Sequence, residues 1–420
     1  MRILFLAHRL PYPPDKGEKI RSYHLLSHLA HHHDVDLACF SDDSSDRQAV
    51  AALQQWCNSV VTVPWSRGPA LAMAAWRWAC GDCLTIGAYR DARMSRHVAD
   101  LGRRPYDAVV AFSACMAPYA LVVRARRRVL DLCDADSEKW LEYARVSLMP
   151  WSMIYRAEAV RLRQLELDLA SRFDATTVIT DRERRVLDPS KRNRRLCVLT
   201  NGVHLPGANV ALPSSRPPVV TFVGTLDYEP NVRAAKWLVR RVWPAVRQGV
   251  PTAQLRILGR RPIASVRRLA SVDGVSVHPD VPDVSALLRE SRIVAAPLQI
   301  ARGLQNKVLE AMAVGRPVVA TSNVAACLAA ESGRHLSVAD EPADFADCVV
   351  RLCREDRLCD LIGRGGYRYA AAYHCWQDVQ RRFEELLRPR QAARHGPRAV
   401  RKSADPLRES TRPAVPRLVR

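Results

Sequence analysis

Lys307 and Glu310 stand three residues apart in the stretch ARGLQNKVLEAMAVGRPVVAT, residues 301–321. At helical spacing their side chains share one face. Just before them, Gly303 permits a tight backbone turn from which a helix can start. This arrangement suits the holding of a nucleoside diphosphate. The unpaired N–H groups and the dipole of a helix start attract phosphate. Lys307 adds a positive charge, and the two oxygens of Glu310 suit a pair of ribose hydroxyls. An ordinary amphipathic helix with a surface Lys–Glu pair accounts for the same residues equally well, since such pairs are common and contribute little.

The elements that would position these residues follow from pattern. Leu304, Val308, Leu309 and Met312 recur at helical spacing and predict the buried face. Gly315 and then Pro317 end the helix, and Val318–Val319–Ala320 reads as a short strand buried on both faces of a parallel sheet. Earlier, residues 3–7, 35–40, 59–63, 107–112, 128–132 and 175–179 read as strands, with helices predicted between them, 46–56 and 91–101 among these. After a Pro- and Ser-rich stretch at 206–218 the alternation resumes with strands at 219–224, 254–259, 275–278 and 293–297. Such alternation predicts two doubly wound α/β domains.

Two loops sit where open α/β sheets place ligand groups, beyond the carboxyl ends of strands. One follows the first strand and runs through Asp15, Lys16, Gly17 and Glu18; it lacks a Gly-x-Gly-x-x-Gly fingerprint, which disfavours a dinucleotide site. The other is VLDLCDADSEKW, residues 129–140, with Asp134 and Asp136 just past the strand. Asp136 or Ser137 serves equally well as a helix N-cap.

Composition sets wider bounds. The 420 residues are 48% hydrophobic and 25% charged, which is ordinary for a globular protein of two domains. No run of 18 apolar residues occurs, and the start MRILFLAHRLPYPP is too short in its apolar core for a signal peptide, so a cytoplasmic location is expected. Twelve scattered cysteines, with one isolated C-x2-C at Cys80 and Cys83, read as reduced thiols rather than a zinc site. Net charge is +21, from 57 arginines and seven lysines against 43 acidic residues. A basic surface favours anionic partners. Two helical stretches, 69–78 with Trp76 and Trp78 and 149–169 with Trp151 and Tyr155, set aromatics beside arginines. They suit peripheral contact with an anionic membrane, and equally an interdomain or core position. No nucleic-acid motif with interleaved aromatics is present, so no nucleic-acid partner is expected.

The 301–321 stretch resembles the donor-binding motif of the family-4 retaining glycosyltransferases, which have the GT-B fold. Their motif is a Glu, seven residues and a second Glu, then Ala-Met-Ala-x-Gly-x-Pro-Val-Val. Glu310 matches the second Glu, which the resemblance assigns to the nucleotide ribose, and Ala311 to Ala313 and Gly315 to Val319 match the rest. The first Glu, which faces the donor sugar in that family, falls on Arg302, and the usual glycine at 305 is Gln305. The nucleotide half of the motif is kept and the sugar half altered. The resemblance implies a nucleotide-sugar donor held by the Gly303–Asn306 amides (Gln305 among them), Lys307 and Glu310, with Gly224 facing the phosphates and Arg302 beside the sugar. It implies Gly17 and Asp134 near the transferred sugar, retention of configuration and no metal or other cofactor. Asn201–Gly202–Val203 resembles the family's run into the interdomain linker, with His204 where an Asp is usual.

Four pieces spanning both halves, LAHRLPYPPDKGEKIRSYHLLSHLA, VLDLCDADSEKW, FVGTLDYEPN and ARGLQNKVLEAMA, are together similar to the sugar transferases of bacterial PEP-CTERM/exosortase exopolysaccharide systems. The expectation is therefore an α/β protein of GT-B type, two Rossmann-like domains facing across a cleft. Residues 1–205 would take a glycan or lipid-linked acceptor and 206–375 the nucleotide sugar. Residues 376–388 would form a helix crossing back, followed by a disordered basic tail, 389–420. A cytoplasmic enzyme, peripheral at the inner face of the membrane, fits this reading. Two others share the sequence evidence: a nucleotide-sugar epimerase of the same fold, and a non-catalytic basic polyanion-binding protein.

Overall fold

Side chains alternate along the first strand, β1 (Arg2–Ala7): Ile3, Phe5 and Ala7 enter one buried cluster and Leu4 and Leu6 another. A strand that is apolar on both faces must be covered on both faces. The computed structural model describes residues 1–14, 17–41, 47–207, 217–301 and 303–389. It places β1 near the middle of a seven-stranded sheet. The other strands are β2 (Asp34–Ser41), β3 (Ser59–Pro64), β4 (Tyr106–Phe112), β5 (Ala125–Cys133), β6 (Ala175–Val178) and β7 (Leu196–Val198), in the order β3-β2-β1-β4-β5-β6-β7. All pairings are parallel.

A second parallel sheet has the order β10-β9-β8-β11-β12-β13. Its strands are β8 (Val219–Val223), β9 (Gln254–Gly259), β10 (Val275–Pro279), β11 (Ile293–Ala296), β12 (Val318–Ala320) and β13 (Ser337–Val338). Both sheets reverse strand order beside their first strand. At such a switch point the loops from neighbouring strands part and leave a crevice. The two reversals lie at β1/β4 and β8/β11.

The chain returns to the first sheet at its end. The helix Trp376–Leu387 buries Trp376, Val379, Phe383 and Leu387 in the cluster that also holds Ile3, Phe5, Leu25 and Leu29. Each such side chain contributes about 1.5–3 kcal/mol relative to exposure. The outgoing and returning crossings run side by side. The Val203 amide donates to the His374 carbonyl at 2.7 Å, and Val203 bridges to Cys375. Gly202 lies against Trp376: a Cβ there would stand 2.4 Å from Trp376 Cδ2 and 2.7 Å from its Cα, too close for any side chain. Gly202→Ala is expected to cost about 1–3 kcal/mol by overpacking, and to do so by loosening the returning helix. Hydrogen exchange should show residues 376–387 losing protection before the second sheet does.

Some expected details differ. The helix after Gly303 spans Asn306–Ala313, so Leu304 precedes it and packs on the core from the loop. The helix after β5 begins at Asp136 with Ala135 at the N-cap position and no side-chain cap, so neither Asp136 nor Ser137 caps it. Ser137 instead donates to the buried Glu166 carboxylate. Asp15, Lys16, Arg302, much of the interdomain stretch and the chain beyond Pro389 lie outside the described residues.

Candidate nucleotide-sugar site

The helix Asn306–Ala313 follows a loop in which Gly303 has φ +56, a left-handed conformation natural to glycine. Gln305 occupies the N-cap position, and no side chain caps the helix there. The Gln305 carbonyl accepts from the Val308 amide at 2.9 Å and the Leu309 amide at 3.2 Å, and the Asn306 amide turns back onto the Leu304 carbonyl at 3.1 Å. Of the amides expected to face a ligand, that of Asn306 is thus engaged within the turn.

Lys307 is held by a residue that the sequence did not single out. Its Nζ donates to Asn231 Oδ1 at 2.8 Å, while Asn231 Nδ2 donates to the Thr225 carbonyl at 3.0 Å. Asn231 lies in the helix Glu229–Trp237, whose start faces the loop after β8. One buried amide side chain therefore fixes both the Gly224–Thr225 loop and the ammonium. Lys307 also lies 5.5 Å from the centroid of the Phe222 ring. Arg233, a sequence candidate for a basic partner, is exposed and paired with Glu229 at 2.8 Å. Lys307 and Glu310 make no ion pair within 4.0 Å, and among the described residues the Glu310 carboxylate has no hydrogen-bond partner. Burial pushes Lys307 down to about 8, with Glu310 opposing, and pushes Glu310 up to about 7, with Lys307 opposing. Perturbed titratable groups of this kind, a desolvated cation near a carboxylate, are found at ligand sites and in structural pairs alike.

Across the cleft stands the carboxyl edge of the first sheet. A Cβ at Gly303 would be 3.0 Å from Asp134 Oδ1, so the loop of the second domain lies directly on that carboxylate. Asp134 is open to the cleft on one side and crowded by protein on the others. That crowding, with the Glu183 and Asp136 carboxylates, raises it to about 7. Glu183 Oε2 accepts from the Ala135 amide at 2.9 Å, which explains its closeness. Gly17 opens the helix Gly17–His32, and a Cβ there would lie 3.9 Å from Asn306 Nδ2. Next to it, Glu18 bonds His8 Nε2 at 3.3 Å and Arg9 at 2.7 Å. Burial alone would raise Glu18, but the hydrogen bond and charge of His8, with Arg9, bring it down to about 2.

Beneath the site runs a buried polar chain. Arg21 Nε donates to Asp131 Oδ2 at 2.8 Å, and its Nη1 to the Thr200 carbonyl and Asn201 Oδ1, each at 3.0 Å. Asn201 Nδ2 then donates to Asn306 Oδ1 at 3.2 Å, at the start of the helix that carries Lys307. The structure thus brings Gly17, Asp134, Gly303, Asn306 and Lys307 to one cleft, with Gly224 reached through Asn231, Gln305 beside Gly303 and Glu310 one turn along the same helix. Arg302 falls outside the described residues. Sequence reasoning missed Asn231, Arg21, Glu183 and His8. The only signal for Asn231 was its place at the end of FVGTLDYEPN. Among the described residues no group of three or more His, Cys, Asp or Glu is placed to hold an ion.

Residues 217–355 match the family model described as Glycosyl transferases group 1. That span holds Gly224, Asn231, Lys307 and Glu310. No match was found among curated proteins. Solved structures of similar fold include Anabaena HepE in complex with UDP and glucose, at 16% identity and TM-score 0.63, over 92% of this chain and 99% of that one. Sucrose-phosphate synthase from Thermosynechococcus elongatus is similar at 15% identity and TM-score 0.63, over 92% and 98%. WaaG, a glycosyltransferase involved in lipopolysaccharide biosynthesis, is similar at 15% identity and TM-score 0.60, over 90% and 98%. The chain therefore has the GT-B fold, and the segment that matches the glycosyl transferases group 1 model lies in the second of its two α/β units.

Proposed function

We propose that the protein transfers a sugar from a nucleoside diphosphate sugar to a hydroxyl of a glycan or lipid-linked acceptor, with retention at the anomeric carbon. The observation that carries this reading is the uncapped helix start with desolvated Lys307 and unengaged Glu310, set across a cleft from Asp134. The family match over the same segment supports it. In the proposed step the acceptor oxygen forms a bond to the anomeric carbon as the bond to the β-phosphate oxygen breaks. The acceptor proton leaves with the nucleoside diphosphate. Lys307 and the helix start meet the charge that develops on the leaving diphosphate, and the reading calls for no resident metal. Glu310 accepts from the ribose, and Asp134 lies beside the transferred sugar. The sequence resemblance supports a place in bacterial exopolysaccharide assembly of the PEP-CTERM type, with the work done at the cytoplasmic face of the membrane.

The test is thermal protection by UDP-, GDP- and ADP-sugars, with Glu310→Ala in parallel. A ligand that binds only the folded chain raises its midpoint. UDP is the first choice, being the nucleotide bound in the HepE complexes. Protection by one nucleotide family, reduced at least about tenfold in affinity by Glu310→Ala, supports the reading, since a loss of about 1.4 kcal/mol is a tenfold change. A folded sample that no donor protects overturns it.

A further inference from the structure

The helix Asp136–Val146 begins two residues past Asp134 and, with 11 residues, runs about 16 Å away from the cleft. A turn then leads into the 22-residue helix Trp151–Arg172. At the tip of this hairpin Leu148 is 86% exposed, Val146 78%, Met149 66% and Trp151 57%, with Met153 also exposed. These side chains lie exposed at the end of the hairpin. The helix Arg67–Ala79 carries Leu71, Met73 and Trp76, likewise exposed. It is tied to the hairpin by Arg161, which donates to the Trp78 carbonyl at 2.7 Å and lies 4.7 Å from the Trp78 ring centroid.

Charge says what covers this surface. Residues 143–157 contain Arg145 and Arg156 and no acid; residues 65–81 contain Arg67 and Arg77 and no acid. Arg67, Arg145 and Arg156 are exposed and, among the described residues, none has a carboxylate within 4.0 Å. A second copy of a chain of net charge +21 would set arginine against arginine. An anionic surface would pair them while apolar side chains and tryptophans enter its outer layer. We infer that the 143–157 hairpin tip, with the exposed face of the helix Arg67–Ala79, docks on an anionic phospholipid bilayer. The inference rests on the membrane-face location in the proposed function and deepens it by naming the surface and the lipid; its vesicle test reads lipid binding alone, so its failure is distinguishable from a failure of sugar transfer. It gives the helix from Asp134 a second role, as the strut that holds the cleft about 16 Å from the lipid headgroups.

The test is co-sedimentation of the full chain with phosphatidylcholine vesicles, with and without phosphatidylglycerol, at low and high salt. Binding is expected to the anionic vesicles only and to weaken with salt. Leu148→Ser/Met149→Ser/Trp151→Ser is expected to reduce it at least about tenfold, and Arg145→Gln/Arg156→Gln by a similar factor. The positions are exposed, and an unchanged circular dichroism melt checks that each variant folds. Wild-type binding by the hairpin variant would overturn the inference, because attraction through the basic C-terminus or general charge would survive those substitutions. A dimeric wild type made monomeric by the same substitutions would also overturn it, by assigning the surface to a second copy.

Discussion

Arg21→Ala is expected to lower the unfolding free energy of the first domain by about 3–5 kcal/mol, the largest effect of any single side chain near the cleft. Arg21 and Asp131 are 1% and 0% exposed, and their 2.8 Å contact leaves neither a route to water. Removing the guanidinium strands a carboxylate whose remaining partner among the described residues is the Cys133 amide at 3.0 Å. The loss is a large share of the 5–15 kcal/mol typical of a folded domain. Chemical denaturation followed by far-UV circular dichroism measures it. The control is Arg21→Met/Asp131→Leu. Where a buried pair costs as much to desolvate as it returns, removing both partners restores most of the loss. A double variant no more stable than Arg21→Ala would show that Arg21 acts through Thr200 and Asn201, not through Asp131. The same variant should weaken donor binding by a smaller factor, because Asn201 is the side chain that meets Asn306 across the domains.

Lys307→Ala is expected to lower the rate of sugar transfer by about 10²–10³-fold, the usual consequence of removing one fixed donor from a developing anion. In free energy this is about 3–4 kcal/mol. The ammonium is already aimed and partly dehydrated by Asn231, so little reorganisation accompanies the reaction. Lys307→Arg should rescue poorly, because a planar guanidinium cannot reproduce a point charge seated on a single amide oxygen. The pH dependence follows with a definite sign. Lys307, lowered to about 8, loses its charge as pH rises through that value, and a neutral amine does not hold a diphosphate. Glu310, raised to about 7, takes up a proton as pH falls through that value and no longer accepts from two hydroxyls. Affinity for UDP should therefore peak between about 7 and 8 and fall by up to tenfold per pH unit on either side. Calorimetric titration across this range checks the profile, and the alkaline limb should vanish in Lys307→Ala.

Strand and helix limits were legible where local pattern decides them. The apolar run at 35–40 became Asp34–Ser41, and the helix expected at 376–388 spans Trp376–Leu387. Buried parallel strands announce themselves by continuous apolar runs, whereas the closing helix was expected from the family resemblance, and the structure shows its buried stripe of Trp376, Val379, Phe383 and Leu387. That Lys307 and Glu310 share one helix was legible from their spacing, while their candidate role came from the family resemblance. What was not legible depends on partners distant in sequence. Asn231 meets Lys307 over a separation of 76 residues, and Arg21 meets Asp131 over 110. A lone arginine on a predicted amphipathic helix reads as solvated, and only the tertiary structure shows it sealed beneath the sheet. The missing side-chain cap at Asn306–Ala313 likewise depends on a loop conformation that pattern does not encode.

The adjacency of Val203 and Cys375 has a consequence for the order in which the molecule is made. The second sheet and its helices form one uninterrupted run of chain between these two points, entered and left at the same place. The first sheet is interrupted: one of its covering layers, Trp376–Leu387, is encoded after everything else described here. A chain leaving the ribosome from its N-terminus folds domain by domain as each becomes complete. Here the half that emerges first is completed last. Until residue 387 is out, Ile3, Phe5 and Leu29 lack one of their covers, so a nascent chain stopped short of it would present an oily face to chaperones although the second α/β unit is already whole.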